Sequence, residues 1–252
     1  MGWDNPPVPW REFERRLSWG GNKTGETEEA PRSRPVTRLP VAPGRPAAIS
    51  QDPAWAELHC HSSYSFLDGA SSPTELVAEA VARGLTALAI TDHDGMYGVP
   101  QFAQAAGRLP QASGTRIDTV FGAELSLDLP GGQSGIPDPV GRHLLVLARD
   151  PEGYRRLCRV ISEAQLAGKE KGRPVYDEAA LAAAHDGHWV VLTGCRKGAV
   201  PAALAACGLR TDGSPPGMPA AATSAITAAT AAAAAELRSL VAMFGSENAW
   251  WS

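Results

Sequence analysis

The chain has 252 residues, 44% of them apolar and 20% charged, with a net charge of −4 and a pI near 5.9. That length suits one large α/β domain or two small ones, and the composition is that of an ordinary globular protein. The charge excludes a global basic field that would draw in nucleic acid, so any such contact must be local or belong to a larger assembly.

Cys60, Cys158, Cys195 and Cys207 show no CxxC spacing, and the start, MGWDNPPVPW, is acidic and proline-rich rather than a secretory signal. Both features point to reduced thiols in a cytoplasmic protein. No run reads as long enough to span a membrane. Residues 1–52 are dominated by proline, arginine and glycine and read as a disordered leader. Within it, WREFERRLSW puts Trp10, Phe13 and Leu17 on one helical face, the pattern of a docking helix or of a short frayed one.

From Ala54 a regular alternation begins, and residues 53–252 read as one domain. AELH is a short strand. In SSPTELVAEAVARG, Ser72 caps, Pro73 opens and a glycine closes a helix, with Glu75 in its first turn. LTALAI is a buried strand ending in TDHDG, VPQFAQAAGR a helix, and RIDTVFGAELSLDL one or two strands before the loop PGGQSGIPDPVGR. HLLVLA is a strand, PEGYRRLCRVISEAQLAG and DEAALAAAHDG are helices, HWVVLTG is a strand and KGAVPAALAACG a short helix. Such alternation predicts a parallel sheet with helical crossovers, either doubly wound or closed as a barrel. Residues 211–235 read as an alanine-rich insertion running into a helix with Leu237, Leu240, Val241 and Phe244 on one side. The strand expected next is missing before the chain stops at SENAWWS, the pattern of a truncated or frame-shifted reading frame.

The polar residues gather at strand ends. In ELHCHSSYSFLDGA, alternation on a strand sends His59 and His61 to one side and Cys60 to the other. Two converging imidazoles suit a metal ion, although an isolated HxH also describes two solvated rings at a loop entrance. Asp68 follows, then Asp92 and His93 after the second strand, Glu124 on the third, and Cys195 after HWVVLTG. In parallel α/β folds the C-terminal strand ends share one face, and imidazole, carboxylate and thiolate groups meeting there are ligands for zinc, manganese or iron. The simpler roles are a turn for Asp68 with Gly69, a core thiol for Cys195, and orientation of a histidine for Asp92. His143 opens its strand rather than ending it and by topology alone is a surface residue. Arg142, Arg196 and Lys197 are near enough to the loops to meet phosphate, with solvated surface as the default; His185 and His188 receive no role.

The segments HCHSSYSFLDGA, ALAITDHDGMYG, VFGAELSL, HLLVLARDPEGYRRL and VVLTGCRKG resemble, in order, the motifs of the PHP (polymerase and histidinol phosphatase) domain. The resemblance is to the version at the N-terminus of bacterial C-family DNA polymerases of the polymerase III α-subunit type, and within that to the error-prone branch. It covers residues 54–210 and implies a distorted (β/α)7 barrel, incomplete here at its C-terminus, holding up to three divalent ions such as zinc or manganese. It implies ligand roles for His59, His61, Asp68, His93, Glu124, His143 and Cys195, and a place in catalysis for Asp68 and Asp92. The family's further Asp-x-His pair on a late strand is not found after Cys195, nor are palm, fingers or DNA-binding regions. The resemblance further implies phosphoester hydrolysis of the 3′–5′ exonuclease type, with DNA met through a full-length polymerase, other mutagenesis or replisome proteins as partners, and no membrane. A free-standing phosphatase of the histidinol-phosphate type and a non-catalytic structural module are the competing readings.

Overall fold

A computed structural model describes residues 55–114, 116–132, 137–206 and 220–250. The leader, its WREFERRL stretch and Cys207 lie outside the described residues. Six strands form one sheet in chain order: β1 (Ala56–Glu57), β2 (Ala87–Ile90), β3 (Asp118–Leu127), β4 (Arg142–Ala148), β5 (Trp189–Leu192) and β6 (Ala249–Trp250). The helices are α1 (Pro73–Ala82), α2 (Val99–Ser113), α3 (Pro151–Ala167), α4 (Glu178–His185), α5 (Ala199–Ala206) and α6 (Ala220–Phe244). The local signals act as expected. Ser72 and Glu75 form a reciprocal capping box ahead of Pro73, and Asp150 caps α3 by accepting from Gly153 N–H at 2.8 Å.

The sheet is mixed, not parallel. β1, β2 and β3 run parallel, as do β5 and β6, but β4 is antiparallel to both β3 and β5. The cause is the connection after β3, a proline- and glycine-rich loop whose described residues form no helix, which returns the chain antiparallel; a parallel neighbour would need a crossover. This reversal corrects the placing of His143. The first residues of an antiparallel β4 lie beside the last residues of β3, with Ser126 opposite His143, so a strand start here shares the face of its neighbours' strand ends.

The sheet's two faces follow the two-residue alternation of each strand. On β3, Ala123, Leu125 and Leu127 turn outward and join Leu144, Val146, Trp189 and Val191 under α3, α4, α5 and α6. A second outer core packs Leu88 and Ile90 against Val77, Ala80, Phe102 and Ala106 of α1 and α2. The inner face carries Ala89, Leu145, Leu147 and Leu192, and on it also lie Glu124 and His143. The architecture is a mixed α/β half-barrel with helices outside and the polar cluster inside.

Two features of the C-terminal part differ from expectation. The alanine-rich stretch is not a featureless insertion, because α6 begins at Ala220 and buries Ala229, Ala233, Leu240 and Phe244 on one side. Alanine has the highest helix propensity and lets the helix approach closely. The strand expected to be missing begins as β6, where Val191 and Leu192 pair with Ala249 and Trp250. A third correction concerns membranes: Ile226–Phe244 is long and apolar enough to cross one by length and composition, with a mean hydropathy of 1.2. Its apolarity is largely alanine, and its larger side chains Leu240 and Phe244 are spent on the core.

Candidate metal centre

Beyond β1 the chain stays beside β2: Cys60 N–H donates to Thr91 Oγ1 at 3.0 Å, and Thr91 N–H donates to the Cys60 carbonyl at 2.9 Å. Alternation then sends Cys60 into the α1–α2 core, where burial, helped by the charges of Glu57 and Asp92, pushes its thiol up to about 11. His59 and His61 turn the other way, with ring centroids 5.0 Å apart. The following loop folds back at Gly69, where a Cβ would lie 2.0 Å from the Ser62 carbonyl oxygen. That close turn returns Asp68 to His61, whose Nδ1 it meets.

Asp92 holds this loop from behind. Its carboxylate accepts from Ser62 N–H at 2.7 Å, Ser62 Oγ at 2.8 Å and Ser65 Oγ at 2.7 Å, while Ser65 Oγ accepts from His93 N–H at 3.1 Å. Both oxygens are therefore occupied away from the cluster, and the structure places Asp92 as an anchor of the loop rather than among the converging groups. The sequence reading missed Ser62 and Ser65; the run of hydroxyls between His61 and Asp68 was the available signal.

Glu124 is the hub. Its side chain is 1% exposed, and Oε2 lies 3.2 Å from His59 Nε2, 3.0 Å from His61 Nε2 and 3.6 Å from His93 Nδ1. Oε1 lies 3.1 Å from His143 Nδ1 and accepts from Cys195 Sγ at 3.4 Å. The four imidazoles form an edge-to-face chain, with His61–His93 and His93–His143 centroids 4.4 and 5.2 Å apart. His143 Nε2 bonds the Pro139 carbonyl at 2.9 Å, which turns Nδ1 toward Glu124. Gly194, at φ +82°, makes the bend that brings Cys195 in from β5.

These contacts divide the charge. Burial alone would raise the Glu124 pKa, but hydrogen bonds from His143, His59 and His61 hold it well below the usual carboxylate range. Burial opposes the charged form of His143, yet its contacts with Cys195 and Glu124 outweigh that and raise it to about 10. His61 is likewise raised, against burial, by Glu124 and Asp68. His93 goes the other way, to about 4, through burial and the neighbouring charge of His61.

The residues fit divalent ions on an observation independent of sequence. Both ring nitrogens of the half-buried His93 are shut off from solvent and neither has a hydrogen-bond partner among the described residues, a costly arrangement unless something else fills the space between the rings. Around it, ligand atoms fall into three overlapping groups: His59, His61 and Glu124; His61, Asp68 and His93; His93, Glu124 and His143. Cys195 stands outside these groups but beside Glu124 and 3.9 Å from His143 Nδ1. A set of imidazoles and carboxylates with one thiol suits zinc or manganese.

The basic residues near the loops are already engaged. Arg142 bonds Asp128 at 2.8 Å and also Glu178, while Arg196 and Lys197 both reach Asp138 at 2.8 Å. Asp138 thus ties the Pro139 segment to the residues after Cys195, a role no sequence signal announced. His185 lies against Phe244 and Trp189, and His188 pairs with Asp150 at 2.8 Å, both away from the cluster.

The chain is 46% identical over 256 residues to an error-prone DNA polymerase of Cutibacterium acnes, the match covering 98% of this chain and 20% of that protein. It is 53% identical over 209 residues to an error-prone DNA polymerase of Mycobacterium bovis, covering 81% and 18% respectively. The chain therefore spans about a fifth of the length of these curated relatives. A solved protein assigned as a metal-dependent phosphoesterase, from Bifidobacterium adolescentis, overlaps it with 15% identity and a TM-score of 0.41 over 76% of this chain and 85% of that one. Residues 57–249 match the PHP domain, and the chain belongs to that family.

Proposed function

We propose that this chain is the N-terminal PHP portion of an error-prone DNA polymerase, and that its cluster is a metal-dependent phosphoesterase site of the 3′–5′ exonuclease type. The observation that carries the reading is the buried Glu124 carboxylate faced by four imidazoles, one of which, His93, has no hydrogen-bond partner for either ring nitrogen among the described residues. His59, His61, Asp68, His93, Glu124, His143 and Cys195 would hold the ions. Divalent ions held there would lower the pKa of a water and stabilise charge on the attacking and leaving oxygens of a phosphoester. The protein's own contribution is orientation: Asp68 fixes His61, the Pro139 carbonyl fixes His143, and Asp92 fixes the loop that carries His61 and Asp68. DNA is the substrate in this reading and is presented by the full-length polymerase, in the cytoplasm, with mutagenesis or replisome proteins as further partners. The polymerase chemistry itself belongs to the rest of such a protein.

The test is elemental analysis of the purified chain after zinc or manganese loading, together with hydrolysis of a 5′-labelled single-stranded oligonucleotide. Bound metal and stepwise 3′ shortening, both lost in His59→Ala/His61→Ala, are expected. Metal without any hydrolysis would leave a structural module. Phosphate release from histidinol phosphate with no oligonucleotide shortening would favour the free-standing phosphatase.

A further inference from the structure

The loop between His61 and Asp68 is anchored by its hydroxyls and displays its aromatics. Ser62 and Ser65 are buried against Asp92, whereas Tyr64, Phe66 and Leu67 stand in solvent, Phe66 at 77% exposure. Leu67 holds φ +68°, a conformation unusual for a branched residue, and it lets Asp68 turn inward while Phe66 remains outside. Across the opening, Tyr97 is 65% exposed, and its ring lies so close over Gly95 that a Cβ there would sit 2.4 Å from it. Isolated exposed apolar residues need no explanation, but here they surround one opening. A cavity of about 160 Å³ is lined by Tyr64, Phe66, Tyr97, Pro137, Pro139 and His93, and so runs from the aromatic rim directly to a group of the metal cluster.

We propose that Tyr64, Phe66 and Tyr97 form a stacking platform that receives the base of a terminal nucleotide whose phosphate lies at the cluster. This rests on the phosphoesterase reading above and names the part of the substrate that the site recognises. The volume fits one ring system, being close to the roughly 150 Å³ cavity that takes up benzene, and is smaller than the roughly 300 Å³ at which drug-sized pockets begin. Aromatic faces bind any base through its π-face, which suits an enzyme that must act on every terminal nucleotide. A small phosphomonoester without a ring would gain nothing from this rim.

The experiment measures binding, not turnover. The full 252-residue chain, loaded with manganese, is titrated by fluorescence anisotropy with two 5′-labelled oligothymidylates carrying a terminal phosphorothioate. One ends in thymidine and the other in an abasic residue. The wild type should prefer the thymidine end by about fivefold or more, the lower bound for one stacked base. Phe66→Ala and Tyr97→Ala should each lose most of that preference while keeping the wild-type metal content and the affinity for the abasic end. Equal affinity for the two ends, no measurable binding, or equal loss for both ends in the variants would overturn the platform. So would a wild-type dimer that Phe66→Ala dissolves, since the rim would then be an interface between copies. A base preference without any hydrolysis supports the platform and refutes the exonuclease reading; hydrolysis without the preference does the reverse.

Discussion

At the residue scale the cluster is an electrostatic exchange centred on Glu124. Without ions, the carboxylate is compensated by protons on the surrounding imidazoles, with His143 raised to about 10 and His61 raised as well. A metal ligand must offer a lone pair, so those protons have to leave when an ion binds. His143 holds its proton below its folded pKa, so at neutral pH loading releases protons, and affinity rises with pH and falls on acidification. Calorimetric titration with manganese in two buffers of different ionisation enthalpy should give different heats; identical heats would show that the rings are already neutral. Much of this cluster was readable as sequence, because HxH, TDH, GAE and TGC put imidazole, carboxylate and thiol groups at or beside successive strand ends. His143 was not, since a histidine at a strand start carries no sign of the strand's direction.

At the element scale, the loop from Ser62 to Gly69 depends on Asp92 and the half-barrel depends on α6. Asp92→Ala would leave Ser62 N–H, Ser62 Oγ and Ser65 Oγ buried without their acceptor, at about 1–3 kcal/mol for each group left unsatisfied. We expect this variant to lose several kcal/mol of stability, and metal content with it, although Asp92 touches none of the ligand rings. Urea unfolding and elemental analysis check both, and a variant of wild-type stability would refute the anchoring role. A ring contact joins α4 to α6: the His185 ring is buried 5.4 Å from Phe244, with no hydrogen-bond partner for Nε2 among the described residues. Burial lowers the pKa of His185 below its ordinary 6.5. The unfolded chain therefore takes up the proton first, and stability falls as pH drops below about 6.5 toward the lowered folded value. His185→Leu should remove that share of the acid sensitivity. Its urea midpoint, measured from pH 7 to 5, should fall less than that of the wild type; parallel curves would contradict the argument. The element types were legible from capping, period and glycine positions. Strand direction was not: a short loop rich in proline and glycine gave the antiparallel β3–β4 pair, yet β4 and β5 are also antiparallel with α3 and α4 between them. The buried Ala229 and Ala233 hid inside a run that low complexity made look like an insertion.

At the scale of the whole molecule, the cluster is a place where five of the described strands meet. Its groups come from the segment after β1, the end of β2, the middle of β3, the start of β4 and the turn after β5, from His59 to Cys195. No such site exists in an unfolded chain, so ions that bind the folded form stabilise it by mass action, by about 2.7 kcal/mol at a free concentration of 100 times Kd. For a domain of this size each kcal/mol moves the midpoint by about 2–4 °C, which predicts a rise of about 5–10 °C on manganese loading. The inner sheet face sharpens the expectation. The apolar layer of Ala89, Leu145, Leu147 and Leu192 is small, and the edges of the described sheet, β1 and β6, are two residues each. Metal loading should therefore raise the midpoint of the wild type and leave that of His59→Ala/His61→Ala unmoved, and chelation should return the wild type to its own metal-free midpoint. An equal midpoint with and without metal, at a metal content that elemental analysis shows to be high, would mean that the cluster binds ions without holding the half-barrel together.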